Sequence, residues 1–270
     1  MNIYWIWFKI LNLQYQKKIQ LIEKYRDIRK IYYLNTTVLK KDFNFNESEV
    51  NNFIDKNIRN KAIEIDKINK ENNIGVINIL DEKYPYLLKQ IYNPPILLYY
   101  KGDLELLKLK KVNLYLGKNI DEYGEHILKQ LCLYFSKKEI SVISRNENVD
   151  KKLINNNVKK IIVLAEGIKN IKVDNTGIIL SEFEYDVVKT KTNILQRNRI
   201  LTGLSNENII VQANILDGAN YIVDLALEQG RDISVFPGNI FDVNNQFTNQ
   251  LITEGANVIN NINQLSVYEQ

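Results

Sequence analysis

Between Lys189 and Leu204 the chain reads KTKTNILQRNRILTGL. Four cations, Lys189, Lys191, Arg197 and Arg199, stand beside Thr190, Thr192, Asn193 and Asn198 at what reads as the start of a helix. Guanidinium forks match phosphate oxygens two at a time and also stack on bases, while Asn and Thr add neutral hydrogen bonds. The chemistry this segment suits is the holding of a phosphate chain. Two residues separate about 200° of helix surface, so Arg197 and Arg199 face one ligand only if the helix start is irregular. The alternative is a structural ion pair for one of them, with Glu182 as a candidate partner.

Two glycine turns could add backbone amides. Val112–Gly124, VNLYLGKNIDEYG, is an apolar run ending in Gly117 ahead of a helical pattern, and Lys118 follows the glycine. A helix start after such a turn presents free N–H groups and lets an anion approach the backbone. The bland reading is a structural strand–turn–helix connection. Asp217–Gly218 makes a second turn at a helix start, with Asp217 as the expected helix cap. His126 and Cys132 are single copies. Single copies exclude a Cys/His zinc site, and His126 in a helical pattern and Cys132 on a mostly apolar helix read as surface and core residues, so no metal, no cofactor and no catalytic residue is expected. A phosphate-loop hydrolase of the lysine-decarboxylase-like phosphoribohydrolase kind needs Pro-Gly-Gly-x-Gly-Thr, whereas here Pro237-Gly238 is followed by Asn239-Ile240-Phe241.

These segments need elements to carry them. Residues 1–73 have apolar positions at helical spacing, such as Ile19, Ile22, Tyr25 and Ile28, and then Val50, Phe53, Ile54 and Ile58. They predict a small all-α domain of short helices, broken at 42–49 where Asn46 or Ser48 can cap the next helix. From residue 74 to 270 short β-branched runs alternate with amphipathic stretches. The runs are Gly75–Leu80, Val112–Leu116, Ile140–Ile143, Val158–Leu164, Gly177–Leu180, Asn208–Ala213, Asp232–Phe236 and Ala256–Ile259. That alternation predicts an α/β, extended Rossmann-like domain with a mostly parallel sheet covered on both faces. Tyr84–Gly102 holds Pro85, Pro94 and Pro95 and reads as a rigid connector.

With 270 residues and 45% hydrophobic content the chain can bury a sizeable core. Its net charge of +4 is unevenly spread. Residues 1–41 hold nine Lys/Arg against Glu23 and Asp27, so the rest is net negative and a nucleic-acid footprint on the larger domain has to be a local patch. Lys9 interrupts the apolar MNIYWIWFKILNL, which is too short for a membrane span. A cytosolic protein without a membrane partner is expected.

In their order, Tyr84-Pro85 to Lys101-Gly102, Val112–Gly124, Ser181-Glu182-Phe183, Arg197-Asn198-Arg199-Ile200, Gly203-Leu204-Ser205, Gly230-Arg231, Phe236-Pro237-Gly238, and Leu251-Ile252 with Gly255-Ala256 resemble the DNA processing protein A family (DprA/Smf). The resemblance covers about residues 75–260, and the helical N-terminus looks like the family's sterile-alpha-motif-like domain. It implies binding of single-stranded DNA, a homodimer, and loading of the RecA recombinase on incoming DNA in natural transformation. Carried over, Lys189, Lys191, Arg197, Asn198 and Arg199 fall on the basic stretch, Gly117 and Gly218 on amide-bearing turns, and Lys118 and Asn119 where the family has Ser and Arg. The glycine-rich run of the family survives only as Ser144–Asp150, SRNENVD. These departures keep open a degenerate protein-interaction scaffold that no longer grips DNA.

Overall fold

The computed structural model describes residues 1–145, 153 and 155–269. Six helices lead the chain: α1 (Asn2–Ile10), α2 (Tyr15–Tyr25), α3 (Ile28–Tyr32), α4 (Thr36–Phe43), α5 (Glu47–Ile54) and α6 (Lys56–Glu71). Their starts are fixed locally, since Asp27, Asn35, Asn46 and Asp55 each accept a hydrogen bond from the first turn they precede. Asn46 forms a full capping box with Glu49, which satisfies two otherwise orphaned amides. The apolar faces meet around Trp7, which packs edge-on against Phe53 at 4.9 Å. This core does not stop at residue 73. It runs on into Leu97, Tyr99 and Ile179 of the sheet, so the helices and one sheet edge share a single packed interior.

The remaining elements are β1 (Gly75–Asn78), α7 (Tyr86–Lys89), β2 (Leu97–Gly102), β3 (Lys110–Tyr115), α8 (Glu122–Phe135), β4 (Ile140–Ser144), β5 (Lys160–Leu164), β6 (Gly177–Ser181), α9 (Lys191–Gly203), β7 (Glu207–Ile210), α10 (Ala219–Glu228), β8 (Asp232–Val235), α11 (Gln246–Thr253) and β9 (Asn257–Val258). The sheet order is β1-β2-β6-β5-β4-β3-β7-β8-β9. From β6 to β9 all neighbours are parallel. β4, β6 and β7 are buried along their whole length, as strands covered on both faces must be.

One expectation is corrected here. The Pro-rich connector does not remain a connector, because its second half, after Pro94-Pro95, becomes β2 and pairs antiparallel with both β1 and β6. The prolines end before the ladder begins, so no needed donor is lost. Tyr15 and Tyr84 pin the turn by donating their hydroxyls to the Pro94 and Pro95 carbonyls at 2.9 and 2.7 Å. Among the described residues no helix is long and apolar enough to cross a membrane.

The chain crosses from one half of the sheet to the other at β3, which lies between β4 and β7. In open α/β sheets the carboxyl ends of strands at such a switch point border the ligand crevice.

Candidate nucleic-acid interface

Every crossover in the parallel part of the sheet begins at the carboxyl edge. The segments that follow β3, β6 and β7 and the first turns of α9 and α10 therefore gather at one rim. Lys118 and Asn119 follow β3, Lys189 precedes α9, Lys191 is its first residue, and Gly218 caps α10; all are exposed. Thr190 makes the α9 start by accepting from the Asn193 amide at 3.1 Å. Gly218 sits at φ +75° with open space where a Cβ would stand. That left-handed backbone explains the glycine.

The switch point itself is closed. The Gly117 amide donates to the Gln212 carbonyl at 2.8 Å, and a Cβ at position 117 would collide with the Asp217 carboxylate. Gln212 in turn donates to Asp121 at 2.9 Å and to Asn245 at 3.2 Å. Burial pushes the Asp121 carboxyl up, but its hydrogen bond with Asp242 and the amides at the start of α8 outweigh this and hold it below the usual carboxylate range. The expectation that Gly117 offers its amide to a phosphate is thus corrected, since that amide is already bonded within the fold. Asp217 is corrected too. It accepts from the Asn214 amide at 2.9 Å and closes a short 3-10 turn, while the residue that caps α10 is Gly218.

The basic stretch divides by side of the helix. α9 is regular, so the two-residue spacing sends Arg197 and Arg199 apart. Arg197 is buried, 5% exposed. It donates from Nη1 to the Val163 carbonyl at 3.1 Å and from Nε to the Asn198 side chain at 3.0 Å. Arg199 forms a two-pronged pair with Glu182 at 2.8 and 2.7 Å and donates to the Asn93 carbonyl at 3.0 Å. The expected free guanidinium at 199 is therefore a fastening between α9, the end of β6 and the turn before β2. It forms part of the wall of a groove of about 530 Å³, lined also by Thr192, Gln196, Tyr221 and Leu225. Nearby, Lys9 pairs with Glu184. Burial pushes the Glu184 carboxyl up, and Lys9 more than reverses that.

A residue that the motif search passed over stands in this rim. In the β3–β4 register Asn113 lies beside Ile143, and Tyr115 and Arg145 come two residues further along the chain in each case. The Arg145 guanidinium carbon sits 4.2 Å from the Tyr115 ring centroid. Burial pushes the Tyr115 phenol up, with Arg145 acting against it. The signal in sequence was a cation directly after the apolar run Ile140–Ser144. It belongs to the SRNENVD remnant, of which residues 146–150 lie outside the described residues.

Comparisons with known proteins bear on the family and the fold. A family model described as DNA recombination-mediator protein A matches residues 75–269. DNA processing protein DprA of Bacillus subtilis is 31% identical over 206 residues, 70% of this chain and 69% of that protein. Its counterpart from Streptococcus pneumoniae is 29% identical over 196 residues, 67% and 70%. The X-ray structure of the Streptococcus pneumoniae protein shares the fold with a TM-score of 0.73 at 22% identity, over 99% of this chain and 97% of that one. A structure of DNA processing protein A from Helicobacter pylori, described by its single-stranded DNA binding mode, gives 0.62 at 26% identity over 71% and 93%.

Proposed function

Because the chain belongs to the DNA recombination-mediator protein A family, we infer that it binds single-stranded DNA along the carboxyl rim of its sheet and serves DNA processing in transformation and recombination. One observation carries the reading. Lys118, Asn119, Lys189 and Lys191, far apart in sequence, are exposed and delivered to the same rim by the parallel topology. Cations along a rim track a phosphate backbone without reading bases, and a closed switch-point crevice suits a strand laid across the edge better than a nucleotide inserted into it.

The test is a titration of a fluorescent oligothymidylate against wild type and a Lys118→Gln/Lys189→Gln/Lys191→Gln variant. The triple variant should bind at least tenfold more weakly. Equal affinities would remove these lysines from the function.

The role is read as non-enzymatic. His126 is exposed on α8, and the buried Cys132 thiol is pushed up to about 11 by burial, far from a thiolate at neutral pH. Gly238, where a hydrolase would need a phosphate loop, is packed against Asn245 and bonded to the Asn249 side chain. A cytoplasmic site of action, a second copy of the chain and the RecA recombinase as partner complete the reading. Sedimentation measures the copy number, and a RecA pull-down with and without oligonucleotide measures the partner. RecA capture by a protein that binds no oligonucleotide would favour the scaffold alternative.

A further inference from the structure

We propose that Arg145, with its guanidinium laid on Tyr115, is the arginine that contacts phosphate at the rim. This rests on the single-stranded DNA reading above.

The first support is position. Arg145 directly follows β4, whose Ile143 lies beside Asn113 of β3 and whose Ser144 lies beside Ile162 of β5. Arg145 therefore leaves a strand end that lies between β5, whose Val163 carbonyl receives Arg197, and β3, which Lys118 follows. The second is orientation. The Arg145 guanidinium carbon stands 4.2 Å from the Tyr115 ring centroid and the group also hydrogen-bonds the Tyr115 hydroxyl, which fixes the fork in place with donors left over for phosphate oxygens. The Tyr115 ring is itself fixed, being 3% exposed and donating its hydroxyl to the Asp217 carbonyl at 3.1 Å. The platform thus ties Arg145 to the turn that starts α10. The third is contrast with the neighbouring arginines. Arg197 is bonded to Val163 and Asn198, and Arg199 to Glu182 and Asn93. Arg145 is half-buried, between a solvated surface cation and a structural one. It also stands one strand away from the exposed Lys118 and Asn119 that follow β3.

The experiment measures oligothymidylate binding by anisotropy at several salt concentrations for wild type, Arg145→Ala and Arg145→Lys, with thermal melts of each. Arg145→Ala should bind about tenfold more weakly, and its salt slope should be shallower by about 0.7. Arg145→Lys should keep the slope but recover only part of the affinity, since the charge stays and the fork is lost. Wild-type affinity and slope in both variants, with wild-type binding intact, would overturn the role of Arg145 and leave the DNA reading standing. Failure of wild type to bind would overturn both. Should Arg145→Ala not fold, Arg145→Lys decides, because full affinity in that variant is incompatible with a fork on phosphate.

Discussion

Two groups of cations in this molecule have opposite surroundings. Around β5, β6 and the middle of α9 each cation is matched. Lys160, buried in β5, meets both oxygens of Asp174 at 2.6 Å, Arg199 meets Glu182, and Lys9 meets Glu184. Around the end of β3 and the start of α9 the cations are Lys118, Lys189 and Lys191 in solvent and Arg145 on an aromatic ring. A cation whose charge is satisfied internally holds elements together. One left on the rim is available to a ligand. The same residue types thus do two jobs, and neighbours rather than charge decide which.

The comparison breaks if the matched region turns out to bind DNA. Asp174→Ala should cost about 3 kcal/mol, because it leaves the Lys160 ammonium buried without its carboxylate. Denaturant unfolding measures the loss, and DNA affinity of the folded protein should be unchanged. Glu182→Gln should cost about 2 kcal/mol by releasing Arg199 from a partly buried pair. Here binding should hold or strengthen, since a cation is freed near the rim. Weaker binding would mean that Arg199 needs Glu182 to present it.

Carbonyl-held lysines sharpen the picture through pH. Lys111 donates to the Leu107 and Leu109 carbonyls at 2.9 and 2.7 Å, and burial lowers it to about 8. Burial likewise holds Lys18 to about 8. In the unfolded chain lysine titrates near 10.4. Above about pH 8 the folded state sheds these protons first, the unfolded state binds more, and stability rises with pH. Between pH 7.5 and 9.5 the two lysines together should add on the order of 2 kcal/mol once their partial exposure is discounted, and Lys111→Met should remove about half of that gain. Buried phenols such as Tyr84, raised by burial, act in the opposite sense only above about pH 10. The smallest effect belongs to the rim. Lys118→Gln alone should weaken oligonucleotide binding about threefold, as expected for one solvated phosphate contact, with the melting temperature unmoved.

Much of the fold was legible because a parallel sheet buried on both faces demands apolar β-branched runs, and those runs mark β3 to β9. β2 was not, since Pro94 and Pro95 dominate its approach and an antiparallel edge pairing leaves no local signature. Asn46 was readable as a cap because capping is local. In the site, the two-residue spacing of Arg197 and Arg199 already implied divergence, and Glu182 was the named candidate partner. Arg145 was hidden for a different reason. Its platform, Tyr115, lies on another strand, and only the β3–β4 register brings them together. The Gly117 amide was misjudged on the same ground, because the Gln212 carbonyl that receives it comes from β7's side of the switch point.

The most direct test of the central claim, that rim cations hold a phosphate backbone, is the salt dependence of wild-type affinity for an oligothymidylate. Contacts from Lys118, Arg145, Lys189 and Lys191 predict that log K falls with log salt at a slope of about −2 to −3. A slope near zero, or no binding at low salt, would contradict the account.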